Sequence, residues 1–460
     1  MSGPSDPTAG RAIVLDVVGL QPRHLEAGLA PNVKRFVNGD SVASLEPPFP
    51  AVTVPAQTTL ATGQSPAEHG DVANGEYDRD ERSVAFWERD RGSRNRLWEA
   101  ASDDAGLTTG ALFFQHLIGT SADVAVTPSP IEDENNDMIE MDCWTNPDDF
   151  YDALREEHGH FPLHNYWGPA AGEAGSEWIL EAARESIARY DPDLLWIYVP
   201  HLDYDAQRHG PRSTEFEEAV ATVDDMLGEF LAWLVTTDRW SETVVNVVNE
   251  YGFHPVDTPV FPNRALREAG LLSVEDDGSG GEEVDIPASR AFAMVDHQVA
   301  HVYTGAPDEA RRVLSELSGV AAVLGAEGKR ERDLDHRNAG DLVLVAESNA
   351  WFQYYWWTDD ESAPYYATDM DIHAKPGFDP CELFFGDAGL ASLDPTKVSG
   401  SHGRVDEEAY GMYGLGGPAA PELALDDTAV DARDVAPTLA DLLGIDDAVS
   451  LSFDRPSLVR

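Results

Sequence analysis

Thr53 is the residue best placed by its neighbours to act as a nucleophile. In Pro50-Ala51-Val52-Thr53-Val54-Pro55 the two prolines fix φ on either side of one hydroxyl and remove backbone donors, so the chain enters the next element in a set geometry. The stretch Gln57–Thr62 predicts the first turns of a helix ended by Gly63. A threonine at such a helix mouth sits where free N–H groups and the helix dipole favour an anion. Chemistry on an anion also needs carboxylates and amides, and several fall at strand ends. The apolar run Ala12–Val18 carries a single carboxylate, Asp16, before Gly19. That is the pattern of a buried parallel strand delivering a side chain at its C-terminal end. Leu194–Val199 and Val244–Val248 are two more such runs, followed by Asp203 and by Asn249-Glu250-Tyr251.

The order of these pieces resembles the alkaline phosphatase superfamily, in its type I phosphodiesterase/nucleotide pyrophosphatase branch. The matching residues are Asp16 at a strand end, Thr53 in a T-x-P turn, Thr62-Gly63-Gln64-Ser65-Pro66-Ala67-Glu68-His69-Gly70, Asn74, Asp203 with Gly210-Pro211, and Ser401-His402-Gly403. Three positions depart from the family pattern. Gln207 stands where the family has a histidine, Glu250 where it has an aspartate, and Tyr251 where it has a second histidine.

The resemblance implies a metal-dependent phosphoester hydrolase of the phosphodiesterase or nucleotide pyrophosphatase type, working through a Thr53 nucleophile and a phospho-enzyme. Asn74 and the Thr53 amide would hold a phosphoryl oxygen. Two divalent ions are implied, one among Asp16, Thr53, Glu250 and Tyr251, the other among Asp203, Gln207 and His402. Oxygen donors dominate that set, which favours Mn²⁺ or Mg²⁺ over Zn²⁺. Asp296, His297, His373 and Lys375 are the further residues that could replace lost ligands or meet the phosphate. A phosphomonoesterase of the same superfamily, or a non-catalytic relative that binds a phosphorylated ligand, are the alternatives. A sulfatase is disfavoured because Thr53-Val54-Pro55-Ala56-Gln57 lacks that group's arginine.

The expected fold is α/β, a three-layer α/β/α core with a mostly parallel sheet and a small α+β cap. Alternating strand and helix patterns over 11–275 predict the first part of the core, 285–398 the cap, and 399–450 the return to the core. The aromatic run Trp351–Trp357 fits packing of the cap, with Tyr354 or Trp356 as conceivable platforms for a planar group.

Charge sets the habitat. Acidic residues number 84 against 31 basic, a net charge of −53. Such self-repulsion is relieved by high salt, as in a salt-accumulating halophile, and it disfavours nucleic-acid partners. Hydrophobic content of 42% supports a folded core rather than disorder. Two cysteines are too few for a disulfide framework. No apolar leader or membrane-length segment is present, so a cytoplasmic protein acting on a small phosphate ester, away from membranes, is expected.

Overall fold

The computed structural model describes residues 7–86, 95–133, 138–369, 375, 380–387, 389–425, 429–453 and 455–459. A nine-stranded sheet forms the core. Its order is Val430–Asp431, Val37–Glu46, Gly411–Gly416, Thr243–Asn249, Arg11–Val17, Leu194–Val199, Thr109–Leu112, Val124–Pro128, Cys143–Asn146. The five strands from Thr243–Asn249 to Val124–Pro128 are mutually parallel. Gly411–Gly416 and Cys143–Asn146 run against their neighbours. The sheet is thus mostly parallel, as expected.

The central strands explain themselves. Arg11–Val17, Leu194–Val199 and Thr243–Asn249 are buried at every residue, because helices cover both faces of a parallel sheet and leave no wet side. The helices gather in two sets. Pro31–Phe36, Glu173–Tyr190, His201–His209 and Thr214–Leu234 pack together, and Thr53–Thr62 packs with Leu97–Ala105 and Val435–Leu442.

The cap is built on a four-stranded antiparallel sheet in the order Ala291–Asp296, Val299–Thr304, Leu342–Ala346, Val320–Leu324. Its buried side chains form a hydrophobic cluster separate from that of the core. That cluster also takes in Val256, Val260, Leu266, Leu271 and Leu272, from the stretch read as core, because Thr258–Val260 pairs in parallel with Ala350–Phe352. A small third cluster, including Phe49, Val72, Val299 and Val343, joins core loops to the cap sheet. The aromatic run lies inside the cap: Trp351, Phe352, Tyr354, Tyr355, Trp356 and Trp357 are all buried in its cluster. Packing, not stacking on a ligand, is their role. Among the described residues no helix is long and apolar enough to cross a membrane.

Candidate active site

Parallel register brings the strand ends together. Asp16 lies beside Tyr198 on one neighbour and Val248 on the other, so the segments that leave those strands, carrying Asp203 and Glu250, emerge at one edge of the sheet. Asn249 ties two of them: its Oδ1 accepts from the amides of Gly19 (2.8 Å) and Tyr251 (3.2 Å), and its Nδ2 donates to the Leu20 carbonyl.

Thr53 is the first residue of helix Thr53–Thr62, which begins earlier than the Gln57 start expected from sequence. Pro55 falls in the first turn, where no intrahelical N–H is needed, so it does not delay the helix. Gly63 ends it with φ 70°, as expected. The Thr53 hydroxyl is 2.7 Å from the phenolic oxygen of Tyr251. Asn74 is fixed beside it, with Oδ1 accepting from the Val54 amide at 2.9 Å.

The carboxyls around this hydroxyl are buried and poorly satisfied. The Asp16 and Glu250 carboxyls lie against each other, yet neither oxygen of Asp16 nor Oε2 of Glu250 has a well-formed hydrogen bond, and Asp203 Oδ1 and Gln207 Oε1 have none. Glu250 Oε1 accepts from Gln57 Nε2 (3.0 Å), and Gln57 Oε1 in turn accepts from the Gln115 amide. Asp203 and Gln207 share a helix face at i, i+4, with Gln207 Nε2 donating to Asp203 Oδ2 at 2.9 Å. Burial pushes Asp16 up to about 7, an effect tempered by the neighbouring Glu250. Burial also pushes Asp203 up to about 7, and Glu250 well above the carboxylate range with the Asp16 charge adding to it.

His402 completes the set. Its Nδ1 is 2.8 Å from the Ala51 carbonyl, which can only accept, so the proton of the neutral ring belongs on Nδ1 and the lone pair on Nε2. Burial lowers its pKa to about 3, which keeps the ring neutral. The Nε2 lone pair faces Asp203 Oδ1 at 3.8 Å. On its faces the ring stacks on Tyr251 (4.1 Å, 11°) and packs on His297 (3.8 Å).

Orphaned carboxylate oxygens and a lone pair aimed at a carboxylate are a donor set that fits a cation, because burying such charges without a proton or metal costs several kcal/mol. Among the described residues, however, no three His, Cys, Asp or Glu side chains form a ready-made metal cage. A cation here would have to draw on amide or hydroxyl oxygens as well.

The remaining expected residues divide. Asp296 and His297 reach the site from the cap. Both Asp296 oxygens accept from Asn74, at 2.7 Å from its amide and 3.1 Å from Nδ2, so Asp296 is already engaged. Lys375 is buried in an ion pair with Glu382, with its ammonium 5.9 Å from the centre of the Trp167 ring. His373 lies outside the described residues. Thr53, Asn74, Asp203, His297 and His402 line one pocket with Gln115, Tyr166, Trp167, Tyr198 and Tyr204. Sequence reasoning passed over the four aromatics and Gln57. A Gln one turn into the Thr53 helix was the only available hint. A larger cleft bordered by Phe49, Arg332, Arg404 and Arg433 lies elsewhere. Arg404 and Arg433 there are already paired with Asp406 and Asp431, whereas the smaller pocket is the one lined by Thr53, Asn74, Asp203 and His402.

The chain belongs to the type I phosphodiesterase/nucleotide pyrophosphatase family, whose pattern it matches over residues 12–379. Among individual proteins, an uncharacterized pyrophosphatase/phosphodiesterase of Schizosaccharomyces pombe is 23% identical over 246 residues, 53% of this chain and 44% of that protein, so less than half of the relative's length is matched. The fold is similar to that of murine ectonucleotide pyrophosphatase/phosphodiesterase 5, solved as an inactive Thr-to-Ala variant with AMP (TM-score 0.60, 16% identity, 96% of this chain and 100% of that one). It is also similar to phosphonoacetate hydrolase of Sinorhizobium meliloti with phosphonoacetate (TM-score 0.62, 18% identity, 95% and 96% covered).

Proposed function

We propose that this chain is a metal-dependent phosphodiesterase that attacks phosphorus with Thr53. The observation that carries the reading is the Thr53 hydroxyl at the first position of a helix, in the pocket where Asp203, His402 and Asn74 meet. The mouse protein of similar fold is inactive as a Thr-to-Ala variant, which is consistent with an essential threonine in this fold.

Asp16, Glu250 and Thr53 would hold one divalent cation, with Tyr251 beside them, and Asp203, Gln207 and His402 a second. Held by these residues, divalent ions would supply a lowered pKa for the attacking hydroxyl and positive charge against the phosphoryl oxygens. The chain's own groups do the rest. Tyr251 fixes the Thr53 rotamer through its 2.7 Å hydrogen bond. Thr53 Oγ1 forms the new bond to phosphorus as the ester oxygen leaves, and water then cleaves the phosphothreonine. Asn74 Nδ2 and the Thr53 amide hold a non-bridging oxygen whose charge grows in the transition state.

The pocket wall supports a substrate with an uncharged planar arm. Tyr166, Trp167, Tyr198 and Tyr204 offer aromatic rings, and none of the described lining residues is Lys or Arg, so among them a second phosphate or a carboxylate would find no counter-charge. The test is a panel of bis(4-nitrophenyl) phosphate, 4-nitrophenyl phosphate, a nucleotide sugar and phosphonoacetate, assayed in molar KCl with Mn²⁺. Diester turnover about tenfold above monoester turnover is expected, since one missing charge contact is worth about 1–3 kcal/mol. Faster monoester turnover would make the protein a phosphatase. Inactivity throughout would favour a phospho-ligand binder, the reading suggested by Gln207 and Tyr251 in place of histidines.

A further inference from the structure

One turn of the cap grips two separate parts of the proposed site. The hairpin Ala291–Asp296/Val299–Thr304 closes through His297 and Gln298, with His297 at φ 58°. Asp296, 1% exposed, accepts from both the amide and the side-chain nitrogen of Asn74. The Gln298 amide donates to the His402 carbonyl (2.9 Å), and the next residue, Gly403, approaches so closely that a Cβ there would lie 3.2 Å from Gln298 N at an unfavourable φ of 119°. The turn is itself anchored in the cap. Phe352 N donates to the His297 carbonyl, Ala346 N to that of Gln298, and Gln298 Nε2 to the carbonyls of Ala350 and Ser348.

We infer that Asp296 is a positioning residue which, acting from the cap, sets the orientation of Asn74 for phosphoryl binding; the inference rests on the function proposed above. The Asn74 amide has two N–H bonds and one carbonyl. Its carbonyl is taken by the Val54 amide and one N–H by Asp296 Oδ1, which leaves one N–H for a ligand in the pocket. A flip of the amide would set N–H against N–H at Val54 and oxygen against oxygen at Asp296. The core thus supplies the phosphate contact, and Asp296 of the cap acts with the Val54 amide in setting which way it points.

The experiment is a double-mutant cycle of Asp296→Asn and Asn74→Ala, assayed with whichever of bis(4-nitrophenyl) phosphate and 4-nitrophenyl phosphate the wild type turns over faster. Asp296→Asn replaces an acceptor by a donor opposite Asn74, and kcat is expected to fall roughly 10- to 100-fold with KM changed by less than about threefold. In the Asn74→Ala background the same change should cost little further in kcat, because no side-chain amide is left to orient and only the backbone bond from residue 74 to Asp296 remains. If Asp296→Asn does not fold, judged by circular dichroism, Asp296→Ser, which keeps one acceptor, takes its place in the cycle. Independent, multiplicative losses, or full kcat in Asp296→Asn while Asn74→Ala is impaired, would overturn the inference and leave the proposed function standing. A wild type inactive on both esters would overturn both.

Discussion

The two halves of the proposed site have departed from the family pattern in different ways. Beside Thr53, Glu250 and Tyr251 replace an aspartate and a histidine. The result is a half with two buried carboxyls, three of whose oxygens lack a well-formed partner, and a phenol within 2.7 Å of the nucleophile. On the other side Gln207 replaces a histidine, and its Nε2 already occupies one oxygen of Asp203, leaving Asp203 Oδ1, Gln207 Oε1 and His402 to receive a cation. The first half presents up to two negative charges and the second presents one, with a neutral amide and imidazole. Because attraction to a divalent ion grows with each unscreened buried charge, the Thr53 half should bind metal more tightly, and the other half should fill with help from the substrate's own phosphate.

The largest effect tests the half that holds the nucleophile. Thr53→Ala should lower turnover by at least about 10³-fold with an unchanged circular-dichroism spectrum, as loss of a covalent nucleophile requires. Wild-type rates in this variant would end the comparison at its root. Next comes the direct contrast between the halves. Asp16→Asn should reduce kcat/KM about 100-fold or more and Asp203→Asn about tenfold, with stoichiometry of bound Mn²⁺ falling further in the first variant. Equal losses would show that the two halves act as one unit.

Tyr251→Phe keeps the ring that stacks on His402 and removes only the hydroxyl. A roughly tenfold drop in kcat with unchanged metal content is expected, in line with an orienting bond worth about 1.4 kcal/mol. Loss of metal instead would make the phenol a ligand. The smallest effect sharpens the weak half: Gln207→His should shift metal preference towards Zn²⁺, with chelated enzyme recovering severalfold more activity in Zn²⁺ than the wild type does. Recovery of the chelated wild type with Zn²⁺ as good as with Mn²⁺ would show that the donor set is softer than it looks.

What could be read from sequence depended on how local the cause was. Asp16 and the Leu194 and Val244 strands were legible because a run buried on both faces has to be apolar, so a lone carboxylate in it stands out. The Thr53 turn was legible because its prolines act on the adjacent backbone. The start of its helix was misjudged by a few residues, since proline is penalised in a helix interior and not in the first turn. The aromatics show the opposite case. Seven consecutive residues rich in Trp and Tyr drew attention, yet those rings pack inside the cap, whereas the rings that line the pocket, Tyr166, Trp167, Tyr198 and Tyr204, are scattered over two helices, a strand and a helix-end loop and carry no motif.

By itself the sequence determined the superfamily, the mostly parallel sheet, and the identities of Asp16, Thr53, Asn74, Asp203, Glu250 and His402 as the residues to examine. Each of these is announced by its immediate neighbours, through periodicity, prolines or a short motif. Only the tertiary structure decided that Tyr251 bonds to Thr53, that Gln57 braces Glu250, and that Asp296 holds Asn74. Those pairs lie 198, 193 and 222 positions apart, and at such separations a contact is fixed by sheet register and by the docking of cap on core rather than by any pattern along the chain.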